Sequence, residues 1–144
     1  MKKGQFFTTS VATIAAGQTY TTLTPVIDVS RAKRASLQAI ATGGNAGSSG
    51  TITFHLAAAV GDVNAATMYS TSDLTTVTVD VAGTTAKRGV PILIDCDGMS
   101  GIVCTSIVNG DGLQAVTLLN IRYGLVERDS DQLSQSDSVL TGGA

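Results

Sequence analysis

The sequence predicts an all-β fold: an antiparallel two-sheet sandwich, best matched by an eight-stranded jelly roll, with extended N- and C-terminal arms. Three observations lead there. Apolar and polar residues alternate with period two in several short runs, those runs are rich in β-branched residues, and glycine-rich turns separate them. A spacing of roughly 8 to 12 residues between such turns is the signature of sandwiches and barrels. No segment carries a convincing helical period with caps.

Residues 1–10 read as an N-terminal arm, with a short strand piece near 8–14 opening the sandwich domain of residues 11–126. Residues 18–29 form a strand interrupted at Pro25, which favours an edge or a bend because proline has no amide to donate. Weaker alternation over 35–41 sets Ala35, Leu37, Ala39 and Ala41 on one face. In "TITFHLAA", Ile52, Phe54, Leu56 and Ala58 face inward, opposite Thr51, Thr53, His55 and Ala57. A short piece spans 66–71, and "VGDVNAATMY" has room for one helical turn. Val77, Val79 and Val81 then face inward, with Thr76, Thr78 and Asp80 outward. Val90, Ile92, Ile94 and Cys96 share a face of the next strand, and Ile102, Cys104, Ser106 and Val108 share a face of the one after, with "DGMSG" as the connection. The last strand spans 113–126. Asn109-Gly110 in "NGDG" signals a tight type I′ hairpin, since both residue types tolerate positive φ. An immunoglobulin-like sandwich is the rival fold, but its Cys, Trp, Cys pattern is missing because the chain has no Trp. Beyond Val126, the polar and acidic stretch "ERDSDQLSQSDSVLTGGA" reads as a tail over 127–144.

A length of 144 residues fits one domain that buries about 68 to 70% of its unfolded surface. Charged residues make up 14% of the chain, against about 25% in ordinary soluble domains. Such a mild surface is suited to lying against other protein. The net charge of −2 provides no field to steer nucleic acid or an anionic membrane, so neither is expected as a partner. No apolar run approaches the roughly 18 residues that cross a bilayer. The start "MKKGQFFTTSVATIAAG" has its apolar residues broken by Thr, Ser and Gln, which predicts an uncleaved chain made in the cytosol.

The stretch "ILIDCDGMSGIVC", residues 92–104, holds both cysteines. With a turn centred near Ser100, Cys96 and Cys104 face each other, and a cross-strand disulfide is conceivable although geometrically demanding. A cytosolic origin favours reduced, buried thiols instead. Two cysteines with seven residues between them and one distant histidine do not make a zinc pattern. Asp95, Asp97 and Gly98 look like the start of a calcium loop, but Met99 stands where that motif needs Asp or Asn, and no bidentate Glu follows. Asp97-Gly98 therefore reads as turn chemistry. His55, the only histidine, would have to be the base of any Ser/His/Asp triad, and no G-x-S-x-G elbow accompanies it. Neither a P-loop nor a dinucleotide fingerprint is present. The expectation is a protein that is not an enzyme and has no catalytic residue, metal or cofactor.

What remains is contact. Lys2 and Lys3, then Arg31, Lys33 and Arg34, then Lys87 and Arg88 form small basic clusters at turns or the terminus, suited to solvation or to an acidic partner surface. They have no interleaved aromatics on which bases would stack. Phe6 and Phe7 suit either a groove on a neighbouring molecule or the core of their own chain. Glu127, Arg128 and Asp129 open the tail and complete the set of expected contact residues. A glycan platform is poorly supplied by Tyr20, Tyr69 and Tyr123 without Trp.

In style over the whole chain, this sequence resembles the small jelly-roll cement, or decoration, proteins of tailed double-stranded DNA bacteriophage capsids. The resemblance is carried by the alternating Thr/Val strands at 51–58 and 75–81, the NGDG segment and the polar tail. It implies a virion protein made in the host cytoplasm that binds the outside of the shell and bridges the major capsid protein. It also implies self-association as a homodimer or trimer. A receptor- or glycan-binding module of a phage tail or fibre is the alternative reading.

Overall fold

A computed structural model describes residues 2–6, 13–21, 26–61 and 68–127. The described residues form ten strands: β1 (Lys2–Gln5), β2 (Thr19–Thr21), β3 (Val26–Asp28), β4 (Ala32–Gly43), β5 (Thr51–Ala59), β6 (Thr75–Asp80), β7 (Lys87–Arg88), β8 (Ile92–Asp95), β9 (Gly101–Asn109) and β10 (Val116–Glu127). They form two antiparallel sheets packed face to face. The first runs β1, β10, β4, then β7 and β8, which pair with successive parts of β4. The second runs β2 with β3, both on β9, then β5 and β6. With β2 and β3 counted as one interrupted strand, and β7 and β8 as another, eight strands stand in jelly-roll order. Of the expected strand piece near 8–14, residues 8–12 lie outside the described residues and Ile14 forms an isolated bridge to Val116; residues 22–25 and 66–67, and most of the possible helical turn, also lie outside them. Tyr69 contributes only an isolated bridge to Ala59.

This order corrects two local expectations. Among the described residues, β5 and β6 are the only consecutive strands that pair with each other; the other links between neighbouring strands of different sheets cross the sandwich. "DGMSG" therefore joins β8 of the first sheet to β9 of the second, and "NGDG" joins β9 to β10 of the first. Neither is a hairpin, because jelly-roll winding sends consecutive strands to opposite layers.

The core fills the space between the sheets. β4 supplies Ala35, Leu37, Ala39 and Ala41, as its alternation predicts, and β5 answers with Ile52, Phe54 and Leu56. Small residues on one sheet leave room for large ones on the other, which is how two layers reach crystal-like density. Val77 and Val79 of β6, with Val81 just beyond it, close this core, while Thr76, Thr78 and Asp80 are exposed. Three facing assignments fail. On β9 a bulge leaves Thr105 unpaired between the His55/Ser106 and Leu56/Cys104 pairs. The extra residue reverses the alternation, so Ile107 and Asn109 face inward where Ser106 and Val108 were expected. On β5, Ala57 and Ala59 are buried with Val103 beneath Tyr69, outside the main core, and Ala58 is half-exposed. Val90 is 80% exposed.

One end of the sandwich is closed by a polar knot. The Asn109 side chain, 1% exposed, donates to the carbonyls of Ile14, Ala15 and Gln114 and accepts the Asp111 amide. The Asp111 carboxylate accepts the amides of Ser49, Leu113 and Gln114 at 2.9 to 3.0 Å. Gly110 sits where a Cβ would lie 2.4 Å from the Thr51 carbonyl oxygen. Its missing side chain serves a close approach, not a positive φ.

The hydrogen bonds from the Ser49 and Leu113 amides lower the Asp111 carboxyl below the ordinary aspartate value of 3.8, with Gln114 adding to them against partial desolvation. A depressed folded value stabilises the fold above the unfolded pKa, and that stabilisation is lost as pH falls through the folded value. Asp111→Ala should therefore be less stable than the parent chain at pH 7, and the gap should narrow below about pH 4. Urea midpoints of both chains from pH 7 to about pH 2.5 measure this. An unchanged gap would show that the charge of Asp111 contributes nothing.

Candidate functional site

The expected contact residues separate in the fold. Lys2 and Lys3 lie in edge strand β1, paired with Leu125 and Gly124, so the expected arm is an integral strand over Lys2–Gln5. Phe6 is fully buried in the core of its own chain, edge-to-face with Tyr123 at 6.2 Å between ring centroids, and is not a contact residue. The Phe6 amide donates to the Ile121 carbonyl, which continues the β1 register and turns the ring inward. Phe7, Arg128 and Asp129 lie outside the described residues. Lys87 and Arg88 make up β7, at the other end of β4, opposite Ala41 and Ile40.

Register gathers the first two basic clusters into one region. Arg34 stands opposite Val126 on β10 and Asp95 on β8, and Ala32 stands opposite Glu127. Lys3 stands opposite Gly124, and Gly124 opposite Ser36. One row further along, Arg122 stands between Gln5 and Gln38. Because side chains alternate across a strand, Lys3, Arg34, Ser36, Arg122 and Gly124 share the outer face of this sheet. Around the small residues Ser36 and Gly124 lies a shallow depression of about 160 Å³ walled by Gln38, Pro91 and Arg122. Leu93, 71% exposed, and Val126, 43% exposed, border the same patch. Lys2 and Arg31 lie near enough to Asp28, at the rim, for their charges to act on its carboxyl. The Ser30 hydroxyl and then its amide, at 2.6 and 2.9 Å, hold that carboxyl below the usual range, and the two cations add to the effect. No cation of this region forms an ion pair with a described residue; the ion pair among described residues is His55 with Asp73.

Arg122 was missed by sequence reasoning because it stands alone. It is the one cation in the run 113–126, and no neighbour in sequence marks it as part of a cluster. The available signal was its parity: Leu119, Ile121 and Leu125 are buried, so Arg122 must face outward.

Two further places deserve chemical comparison. Around β7, Lys87, Arg88 and Val90 face Thr78 and Asp80 across an open groove of about 410 Å³. On the outer face of the second sheet, His55 Nδ1 lies 2.6 Å from Asp73 Oδ2, and Ser106 is the cross-strand neighbour of His55. The order of groups imitates a triad, but no hydrogen bond joins the Ser106 hydroxyl to the ring, and the face is a flat array of Thr19, Thr21, Thr53, Thr76 and Thr78. The geometry does not assemble an activated nucleophile.

The cysteines belong to different sheets. Cys96 follows β8 and Cys104 lies in β9; both are buried, reduced and not cross-strand partners, which corrects the expected opposition. Desolvation pushes the Cys104 thiol up to about 12, and desolvation followed by Asp95 and Asp97 raises Cys96. Thiols so protonated are poor nucleophiles and poor ligands. Asp97 sits in the turn that its type predicts, its amide bonded to Asp95 Oδ1 at 3.0 Å, with Gly98 at φ 83°. Among the described residues, no group of three or more His, Cys, Asp or Glu is placed to hold a metal ion, and no helix is long and apolar enough to cross a membrane.

Fold and surface together define an antiparallel β-sandwich with a cationic, partly apolar outer face on one sheet. No protein-family model matches the chain, and no curated protein matches it. Among solved structures it is similar to a chain described as "Bacillus endospore appendages form a novel family of disulfide-linked pili", with 10% identity, a TM-score of 0.30 and 88% of each chain covered. A likeness this weak carries no functional weight.

Proposed function

We propose that this protein is a virion structural protein that binds the outside of a phage capsid shell as a cement protein. It would be made in the host cytoplasm and would bridge subunits of the major capsid protein. The observation that supports this most is the gathering of Lys2, Lys3 and the end of β10 at one end of the first sheet, where Lys2 pairs with Leu125, two residues before β10 ends at Glu127. The basic edge strand and the point where the chain leaves the sandwich can therefore meet one neighbouring surface. The sandwich then acts as a rigid spacer offering contact area, and it needs no reaction to do so. Each copy adds a modest binding free energy, and shell symmetry repeats the contact many times, so avidity clamps the lattice.

The test mixes the purified full chain with expanded empty capsids. Binding should saturate at a fixed ratio to the major capsid protein and raise the melting temperature of the shell. No shell binding would overturn the proposal. Binding to a glycan array without shell binding would place the protein among receptor-recognition modules instead.

A further inference from the structure

We infer that the outer face of the β1, β10, β4, β8 sheet is a docking site for the acidic C-terminal segment, residues 128–144, of a second copy of this chain. This deepens the reading of the protein as a repeated, self-contacting subunit and rests on it. Arg122 lines the hollow at Ser36 and Gly124, and Lys3 and Arg34 stand beside it in register on the same face, with Asp95 as the carboxylate opposite Arg34. Leu93 adds an exposed aliphatic rim. A patch that combines arginines with aliphatic groups around a depression is the usual composition of a protein-binding surface.

The complementary element is written in the chain itself. Residues 128–144 carry Asp129, Asp131 and Asp137 against the single cation Arg128, and the aliphatic residues Leu133, Val139 and Leu140. Carboxylates meet guanidinium groups with bidentate geometry, which adds direction to the charge attraction. A neighbouring copy is the better donor than the same molecule for a reason of direction. β10 runs from Arg122 toward Glu127 and delivers the segment at the far edge of the patch, heading away from it. Folding back over Arg122 needs the chain to reverse at once beyond Glu127. Continuing outward onto the next copy needs no reversal. Each molecule then offers one face and one segment, a heterologous contact that propagates until symmetry closes it.

Two variants of the full chain test this. The first carries Arg34→Glu and Arg122→Glu; the second carries Asp129→Lys, Asp131→Lys and Asp137→Lys. The parent chain should associate with rising concentration at low ionic strength, read by sedimentation velocity, and dissociate in about 1 M salt, where the Debye length is about 3 Å. Each variant alone should associate at least tenfold more weakly, ~1.4 kcal/mol. An equimolar mixture of the two should recover parental association, because each face then meets a segment of opposite sign. Circular dichroism of both variants should match the parent, and the second leaves the sandwich untouched. A parent chain that stays monomeric at all concentrations, variants that associate as well as the parent, or a mixture that does not recover would each overturn the inference. Capsid binding measured on the same chains keeps the two proposals apart: variants that still self-associate like the parent, with shell binding by the parent intact, sink this docking site alone, and a parent that self-associates without binding the shell sinks the capsid reading alone.

Discussion

Asn109→Asp is expected to remove most of the stability of the fold. The Asn109 amide nitrogen donates to three carbonyls, those of Ile14, Ala15 and Gln114, in a position 1% exposed. Aspartate is nearly isosteric but puts a charged acceptor where the donor was, against three acceptors. The hydrogen bonds are lost and the new oxygen is repelled by every group around it. An uncompensated buried charge costs about 3 to 5 kcal/mol, against a total of roughly 5 to 15 kcal/mol for an ordinary domain. Protonation relieves part of this, so burial should raise the new carboxyl and the defect should shrink as pH falls toward 4. Urea denaturation at about pH 7 and pH 4 measures both effects. Asn45→Asp makes the same change at an exposed turn position, whose side-chain oxygen already accepts the Gly47 amide at 2.7 Å. It should cost less than about 1 kcal/mol. Equal losses at the two sites would mean that Asn109 is not the keystone of this end.

Asn109 also shows what was legible in the sequence and what was not. Asn-Gly marks a reversal of the chain, and the chain does turn there. The residues that favour turns are also those that bond stray carbonyls, so local chemistry does not tell a hairpin from a crossing between layers. That distinction is made by sheet order, which long-range pairing decides. The same limit explains Cys96 and Cys104, which were expected opposite each other because "DGMSG" reads as a hairpin. Within a strand, alternation was a reliable guide wherever the ladder is regular, as at Ala35 to Ala41 and Val77 to Val81. It failed at Ser106 and Val108 because the bulge at Thr105 inserts one residue and reverses every later side chain. In the candidate site, Lys3 and Arg34 were visible as members of basic clusters. Their convergence with Arg122 was not, because it depends on the register of β10 between β1 and β4.

Val79→Asp is expected to prevent folding, while Thr78→Asp, one residue away, is expected to leave the fold in place. Val79 is 3% exposed and pairs with Ile52, itself fully buried, so its side chain points between the sheets among aliphatic groups. A carboxylate there replaces contacts worth about 1.5 to 3 kcal/mol of burial with a charge that has no partner, and the sum reaches the whole stability of a modest domain. Thr78 is exposed and paired with Thr53 on the opposite face. Aspartate at that position loses only strand preference, about 1 kcal/mol or less. The two substitutions differ by a single step along β6 and leave the same net charge, and both replace a β-branched residue, so the direction of the side chain is what chiefly separates them. Circular dichroism and the soluble fraction on expression read the outcome. A native spectrum for Val79→Asp would mean that β6 does not face inward through its valines, and the alternation on which the strand assignments rest would lose its physical basis.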